Sequence, residues 1–171
     1  IAHRTSPTNI GLALCSAMCA QELGIIDLAR AEEFIENMLD TLEKLPRFGG
    51  HFCNWYDTRT LRALEPKYLS TVDCGNLCAC LITLQNRLDS VGLCKLAERA
   101  RRLVADMDFS IFYSVRRGLM HIGIDLEKGT ASPGLYDLMA SEARLTSYTA
   151  IAKGDVPRRH WRRLSRAMRS S

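Results

Sequence analysis

No apolar run in this chain approaches the length needed to cross a bilayer, so direct membrane insertion is excluded. Nor is there a charged opening segment followed by a short apolar one, the pattern of a secretory leader. The chain begins at Ile1 and lacks an initiating methionine, which suits an internal segment of something longer, so a missing leader says little. No C-x-x-C knuckle is present, and the seven cysteines are odd in number, without the even framework of a small disulfide-stapled protein. A reducing compartment is favoured. Cys15 and Cys19 lie one helical turn apart, as do Cys74 and Cys78, with Cys80 nearby, and this raises a metal cluster. They sit in apolar stretches beside Leu14, Met18, Leu77 and Leu81, where a thiol serves as a small buried hydrophobe. We therefore expect no metal and no cofactor.

With 171 residues, 47% hydrophobic and 25% charged, the composition is that of one ordinary globular domain. The formal charge of +4 owes much to Arg158, Arg159, Arg162, Arg163, Arg166 and Arg169. A nucleic-acid footprint is conceivable there. The alternative is a solvated amphipathic helix or tail over 158–171 with Trp161, Leu164 and Met168 inside, and on that reading no nucleic-acid partner is expected.

The helices come in contrasting pairs. A first runs from about Pro7 to Leu23, with Ser6 as N-cap, Pro7 at its first position and Gly24 at its end, and is apolar almost all round. That implies burial on every side. A second, about Asp27 to Leu45, places Leu28, Ala31, Ile35, Met38, Leu42 and Leu45 on one stripe and five acidic residues opposite. The same order recurs: an all-apolar helix over about Asp73–Leu88, then an amphipathic one over about Leu93–Met107. A third inner helix is expected over about Leu135–Lys153, closed by Gly154, with Asp155 capping a basic outer partner from Pro157. Two long connections, Pro46–Thr71 and Asp108–Ala131, precede inner helices and should lie together over one mouth. The second alternates around Gly118 and predicts a small β-hairpin near 109–126.

The first long connection carries His51, Asn54, Trp55, Tyr56 and Asp57. Sugars are bound by such mixtures, an apolar ring face on Trp or Tyr and hydroxyls on Asn, Asp and His. A loop tied down by its own aromatics would read the same way. Asp73, with Asn76 one turn on, stands at an inner-helix N-terminus, either as part of the cap or as a carboxylate aimed at the mouth. Glu142 falls in an apolar stretch. Burial would raise its pKa as a glycosidic general acid requires, and a structural pair with Arg144 is the alternative.

Four motifs then stand in order: Thr5 to Gly11, Gly50 to Thr58, Ser70 to Leu77, and Tyr136 to Leu145 continuing into Ala150 to Pro157. Together they resemble the glucoamylase-like domain of bacterial cyclic β-1,2-glucan synthases, whose distant relatives include bacterial endo-β-1,2-glucanases. The resemblance implies an all-α fold, about half of a toroid of six helical hairpins. It implies a single partial domain over 1–171 that belongs to a larger synthase polypeptide, cytoplasmic and attached to an inner-membrane enzyme. In that family β-1,2-glucan is rearranged by anomer-retaining transglycosylation, and Glu142 and Asp73 match its catalytic carboxylates. His51, Asn54, Trp55, Tyr56, Asp57, Asn76, Asn9, Tyr136 and Arg144 fall at positions expected to contact sugar. The family continues beyond Trp161 with further hairpins and its nucleophile, which Arg162 to Ser171 resembles poorly. The isolated chain is accordingly expected to be inactive, with a non-catalytic carbohydrate-binding remnant as the alternative and self-association of an open toroid as a corollary.

Overall fold

The computed structural model describes residues 2–166. Strand β1 (Arg4–Thr5) leads into α1 (Pro7–Glu22), where Ser6 accepts from the Asn9 amide at 3.3 Å and Pro7 occupies the first turn. Helix α2 (Leu28–Lys44) is capped by Asp27 on the Arg30 amide at 2.8 Å and buries Ala31, Ile35, Leu39 and Leu42. After a connection holding β2 (Arg47–Phe48), β3 (His51–Phe52), β4 (Tyr56–Asp57) and β5 (Tyr68–Ser70), Ser70 caps α3 (Thr71–Ser90). Helix α4 (Cys94–Asp106) is amphipathic, as its spacing predicts.

Helix α3 is the hub. It packs against α1, α4 and α5 (Arg144–Lys153), while α2 and α4 lie side by side outside α1 and α3. Arg99 on α4 reaches Glu43 at 2.9 Å and Asp40 at 2.5 Å on α2, which joins the outer pair. Residues Cys74, Leu77, Cys78, Leu81, Leu84 and Leu88 of α3 are fully or almost fully buried. Close approach of α5 depends on Gly75, since a Cβ there would stand 1.9 Å from Thr146 Oγ1. That hydroxyl instead donates to the Thr71 carbonyl at 3.2 Å, tying the two helices together.

The expectation of an all-α chain with one small β-hairpin needs refinement, because both long connections fold into small sheets. After α4 come a 3-10 turn (Phe109–Phe112), β6 (Tyr113–Ser114), β7 (Leu119–His121), β8 (Gly123–Asp125), β9 (Thr130–Ala131) and β10 (Leu135–Tyr136). Strands β6 and β7 form the expected hairpin, within narrower limits than 109–126, and β10 adds to its far edge. Strand β8 pairs antiparallel with β5 of the first connection, Leu69 opposite Ile124, so the two connections do lie together.

Three other expectations are corrected. Helix α1 is not buried on every side: Leu12 and Cys19 are exposed, as are Leu23 and Ile25 just beyond it. The third inner helix begins at Arg144, not Leu135, because Leu135 and Tyr136 complete the β7 sheet and the following backbone pairs with the chain leaving α6 (Arg159–Arg163). There Met139 N donates to Ser165 O at 2.9 Å and Ser165 N to Asp137 O at 2.7 Å. The basic outer helix is likewise only the five residues of α6, and Asp155 does not cap it. The Asp155 carboxylate accepts from the Phe109 amide at 3.1 Å and from Lys153 Nζ at 3.0 Å. Met168 and Arg169 lie outside the described residues. Among those described, no helix is long and apolar enough to cross a membrane.

Candidate functional site

The N-terminal ends of α1 and α3, and the residues leading into α5, meet on one side of the molecule. The α1 residue Thr8 donates from Oγ1 to Asp73 Oδ1 at 2.6 Å, and Asn76 Nδ2 donates to Thr8 Oγ1 at 3.1 Å. Thr8 thus orients Asp73 from the neighbouring helix. Its signal in the sequence is modest, a hydroxyl in the first turn after a Ser-Pro start, and sequence reasoning alone misses it.

From the sheet side, Tyr136 on β10 donates from its hydroxyl to Glu142 Oε1 at 2.9 Å. Burial first, then the hydrogen bond to Glu142 and the fields of Glu142, Tyr68 and Asp73, push the Tyr136 phenol above its ordinary pKa. Tyr136 therefore lies within electrostatic reach of both Asp73 and Glu142. Beside it, Tyr68 and Ser132 share a hydroxyl hydrogen bond of 2.7 Å, and the Ser132 carbonyl lies 2.7 Å from His121 Nδ1. These residues carry no sequence signal, because β5, β7 and the chain near Ser132 become neighbours only through sheet pairing.

Glu142 itself is exposed, in the bend before α5, and not inside a buried helix. The expected burial is absent, since the stretch from Asp137 to Met139 spends its backbone on pairing with Ser165. Arg144 is exposed at the first position of α5 and makes no ion pair with Glu142; Asn9 is exposed at the mouth end of α1.

The first connection divides differently from expectation. His51 is fully buried, its Nε2 2.9 Å from the Asp108 carbonyl and its ring edge-on to Phe109 and Phe112 at 4.9 Å. Burial holds its pKa below the ordinary histidine value. Tyr56 is fully buried too, donating to the Pro46 carbonyl at 2.7 Å and accepting from the Cys53 amide at 2.8 Å. Neither side chain can touch a ligand, because the connection uses them as its own core. Asp57 accepts from the amides of Thr60 and Arg59, at 2.8 and 2.9 Å, which hold its carboxyl below the usual range and spend it on a turn. Trp55 is half-buried with the Arg4 guanidinium 4.3 Å from its ring centre, so one face is already covered. Asn54 donates its backbone N–H to Tyr68 O at 2.8 Å, and its side-chain Oδ1 is buried without a hydrogen-bond partner. That orphan acceptor adjoins β5, at the edge of the mouth.

A second pairing resembles catalytic geometry. His160, fully buried, holds Gly118 O at 3.0 Å through Nδ1 and Ser147 Oγ at 2.9 Å through Nε2. A serine and a histidine at this distance could make a nucleophile and its base. Both are sealed from solvent, so the pair is structural and pins α5, α6 and the β6–β7 turn together. The cysteines follow the small-hydrophobe reading at Cys74 and Cys78, which are buried, while Cys15 and Cys80 are half-buried and Cys19 is exposed. Among the described residues no group of three metal-ligating side chains converges.

Comparison with known proteins agrees with the resemblance read from the motifs. The cyclic beta-(1,2)-glucan synthase NdvB of Rhizobium meliloti (strain 1021) is 26% identical over 97% of this chain and 10% of its own length. The aligned stretch runs over 293 residues, more than the 171 of the chain, so the synthase carries residues inside it that have no counterpart here. The shortfall is therefore partly internal, whereas the sequence pattern places it beyond Trp161. Among solved structures, an endo-beta-1,2-glucanase from Chitinophaga pinensis, complexed with sophorotriose and glucose, superposes with a TM-score of 0.71. It is 16% identical, and the match covers 88% of this chain and 37% of that one. A protein of Bacteroides fragilis NCTC 9343 named for glucoamylase gives a TM-score of 0.67 at 17% identity, over 74% of this chain and 32% of that one. The chain thus spans about a tenth of the synthase and about a third of these structures, and shares the glucoamylase-like fold. Residues 2–119 match the sequence model of one family, and by that match the chain belongs to the family described as Protein of unknown function (DUF3131).

Proposed function

We propose that this chain is a partial β-glucan-handling domain, whose ligand lies across the mouth formed by Thr8, Asp73, Asn76, Tyr136 and Glu142. The observation that carries the reading is the single cluster in which a tyrosine bonded to one carboxylate feels the field of a second on another element. Support comes from the likeness to a β-1,2-glucan synthase and to the fold of an endo-β-1,2-glucanase. In this reading α1, α3 and α5 are inner helices of an (α/α) toroid of six hairpins, and residues 1–171 form one partial domain of it. Because the matched synthase carries internal residues absent here, the three need not be consecutive inner helices.

Glu142 is placed to exchange a proton with a glycosidic oxygen. Tyr136 fixes one of its oxygens, and among the described residues Oε2 has no protein hydrogen bond. Asp73, oriented by Thr8, accepts from sugar hydroxyls, while Asn76 supplies a further polar contact. Anomer-retaining chemistry needs two carboxyl groups about 5–5.5 Å apart across the scissile bond. Here Glu142 stands exposed with one wall around it, so the chain alone binds without turning over. A non-catalytic remnant would bind equally, and turnover separates the two.

Titration with sophorotriose, followed by tryptophan fluorescence, is expected to saturate in the wild-type chain and to weaken several-fold in Tyr136→Phe and Asn76→Ala. Incubation with linear β-1,2-glucan should release no reducing ends. Absence of any saccharide binding, or binding indifferent to both substitutions, would overturn the site.

A further inference from the structure

Helices α1 and α3 run parallel, and three side-chain contacts cross between them at one fixed offset. Thr8 meets Asp73, Cys15 meets Cys80 and Glu22 pairs with Arg87, each partner 65 positions further along. Successive contacts are seven residues apart, the spacing at which residues of two parallel helices return to the same seam. The middle contact joins a cysteine of each helix. Cys15 Sγ donates to the Cys80 carbonyl at 3.9 Å, which brings the two cysteines together across the seam. The backbones come close here because of Gly11, one turn before Cys15, where a Cβ would stand 2.9 Å from Cys80 Cβ and 3.1 Å from its Sγ. Cys15 also lines an open, mostly apolar groove of about 290 Å³, with Met18, Cys19 and Leu84, so a small reagent reaches it from outside.

We propose that Cys15 and Cys80 form a peroxide-sensitive dithiol that closes into a reversible disulfide across the α1–α3 seam. The inference is independent of the saccharide reading. Interaction with the Cys80 thiol outweighs burial at Cys15 and brings its thiol down to about 7, while pushing Cys80 up. Cys15 is therefore the attacking thiolate at neutral pH. Its sulfur takes one oxygen of hydrogen peroxide, the O–O bond breaks, and the departing hydroxide picks up a proton to leave as water. The Cys80 sulfur then attacks the resulting sulfenic acid and displaces its hydroxide, which leaves as water with the Cys80 proton. Two thiols and one peroxide become one disulfide and two waters, the sulfurs oxidised and the peroxide oxygens reduced. The polar contact above and the ion pair below hold the register while the bond forms.

The test is to treat the reduced full chain with hydrogen peroxide, alkylate the remaining thiols, digest, and map the peptides by mass spectrometry. A cross-linked pair of peptides bearing Cys15 and Cys80, lighter by two hydrogens and separated by dithiothreitol, is expected. It should persist in Cys19→Ser and vanish in Cys15→Ser. Alkylation of Cys15 in the untreated chain should show a midpoint near pH 7 that moves up in Cys80→Ser. A Cys15–Cys19 link, a cross-link that disappears on dilution, or oxidised Cys15 with Cys80 still alkylatable would overturn the proposal.

Discussion

The two long connections look alike in composition and behave oppositely. Both carry aromatics, a histidine and carboxylates ahead of an inner helix. The first, from Pro46 to Thr71, turns His51 and Tyr56 inward and spends Asp57 on a turn, so its most sugar-like residues make a local core. The second, with the bend that follows it, leaves Tyr136 and Glu142 at the surface, joined to each other and near Asp73. Residue type is thus a poor guide to which loop faces a ligand. What separates the two is which side chains the fold turns inward.

That contrast can be broken by mutation. The largest effect should come from His51→Ala, which empties a fully buried site packed by Phe109 and Phe112 and should cost about 2–4 kcal/mol in urea unfolding. Smaller is Tyr56→Phe, which strands the Cys53 amide and Pro46 carbonyl and should cost about 1–3 kcal/mol in the same measurement. Glu142→Gln in the second region should leave stability within about 0.5 kcal/mol of wild type, since its side chain is exposed. A loss as large as that of Tyr56→Phe would erase the distinction between the regions.

Acid sharpens the same comparison. Burial lowers the pKa of His51 and of His160, so the folded chain binds fewer protons than the unfolded one below the ordinary value of 6.5. Their stabilising share is complete above that pH and drains away as pH falls from 6.5 toward the folded-state values. Urea midpoints between pH 7.5 and 5 should therefore decline, and the decline should shrink when His160 is replaced by Gln. A modest effect is expected at the boundary between regions. Arg4→Ala would uncover one Trp55 face and forfeit about 0.5–1 kcal/mol of cation–π attraction, visible as a shift in tryptophan emission.

Much of the scaffold is legible in the sequence because helix ends and stripes are local. Ser6 caps the helix expected of it, and the stripe of Ala31, Ile35 and Leu42 faces inward as its period requires. Legibility ends at Leu135–Ala143, where an apolar run that could continue α5 backward instead completes a sheet with β7 and a bridge to Ser165. It ends again at α1, whose uniform apolarity suggests full burial although Leu12 and Cys19 face outward.

By itself, the order of residues determined the alternation of apolar and amphipathic helices over the first two pairs, the Ser6 cap, and the presence of Asp73 and Asn76 at a helix start. Those features depend on interactions within one or two turns of chain. Only the tertiary structure decided that Thr8 meets Asp73, that Cys15 meets Cys80, and that His51 and Tyr56 are core while Tyr136 and Glu142 are not. Each of these depends on which segments pack together across dozens of residues, and local propensity carries no information about that choice.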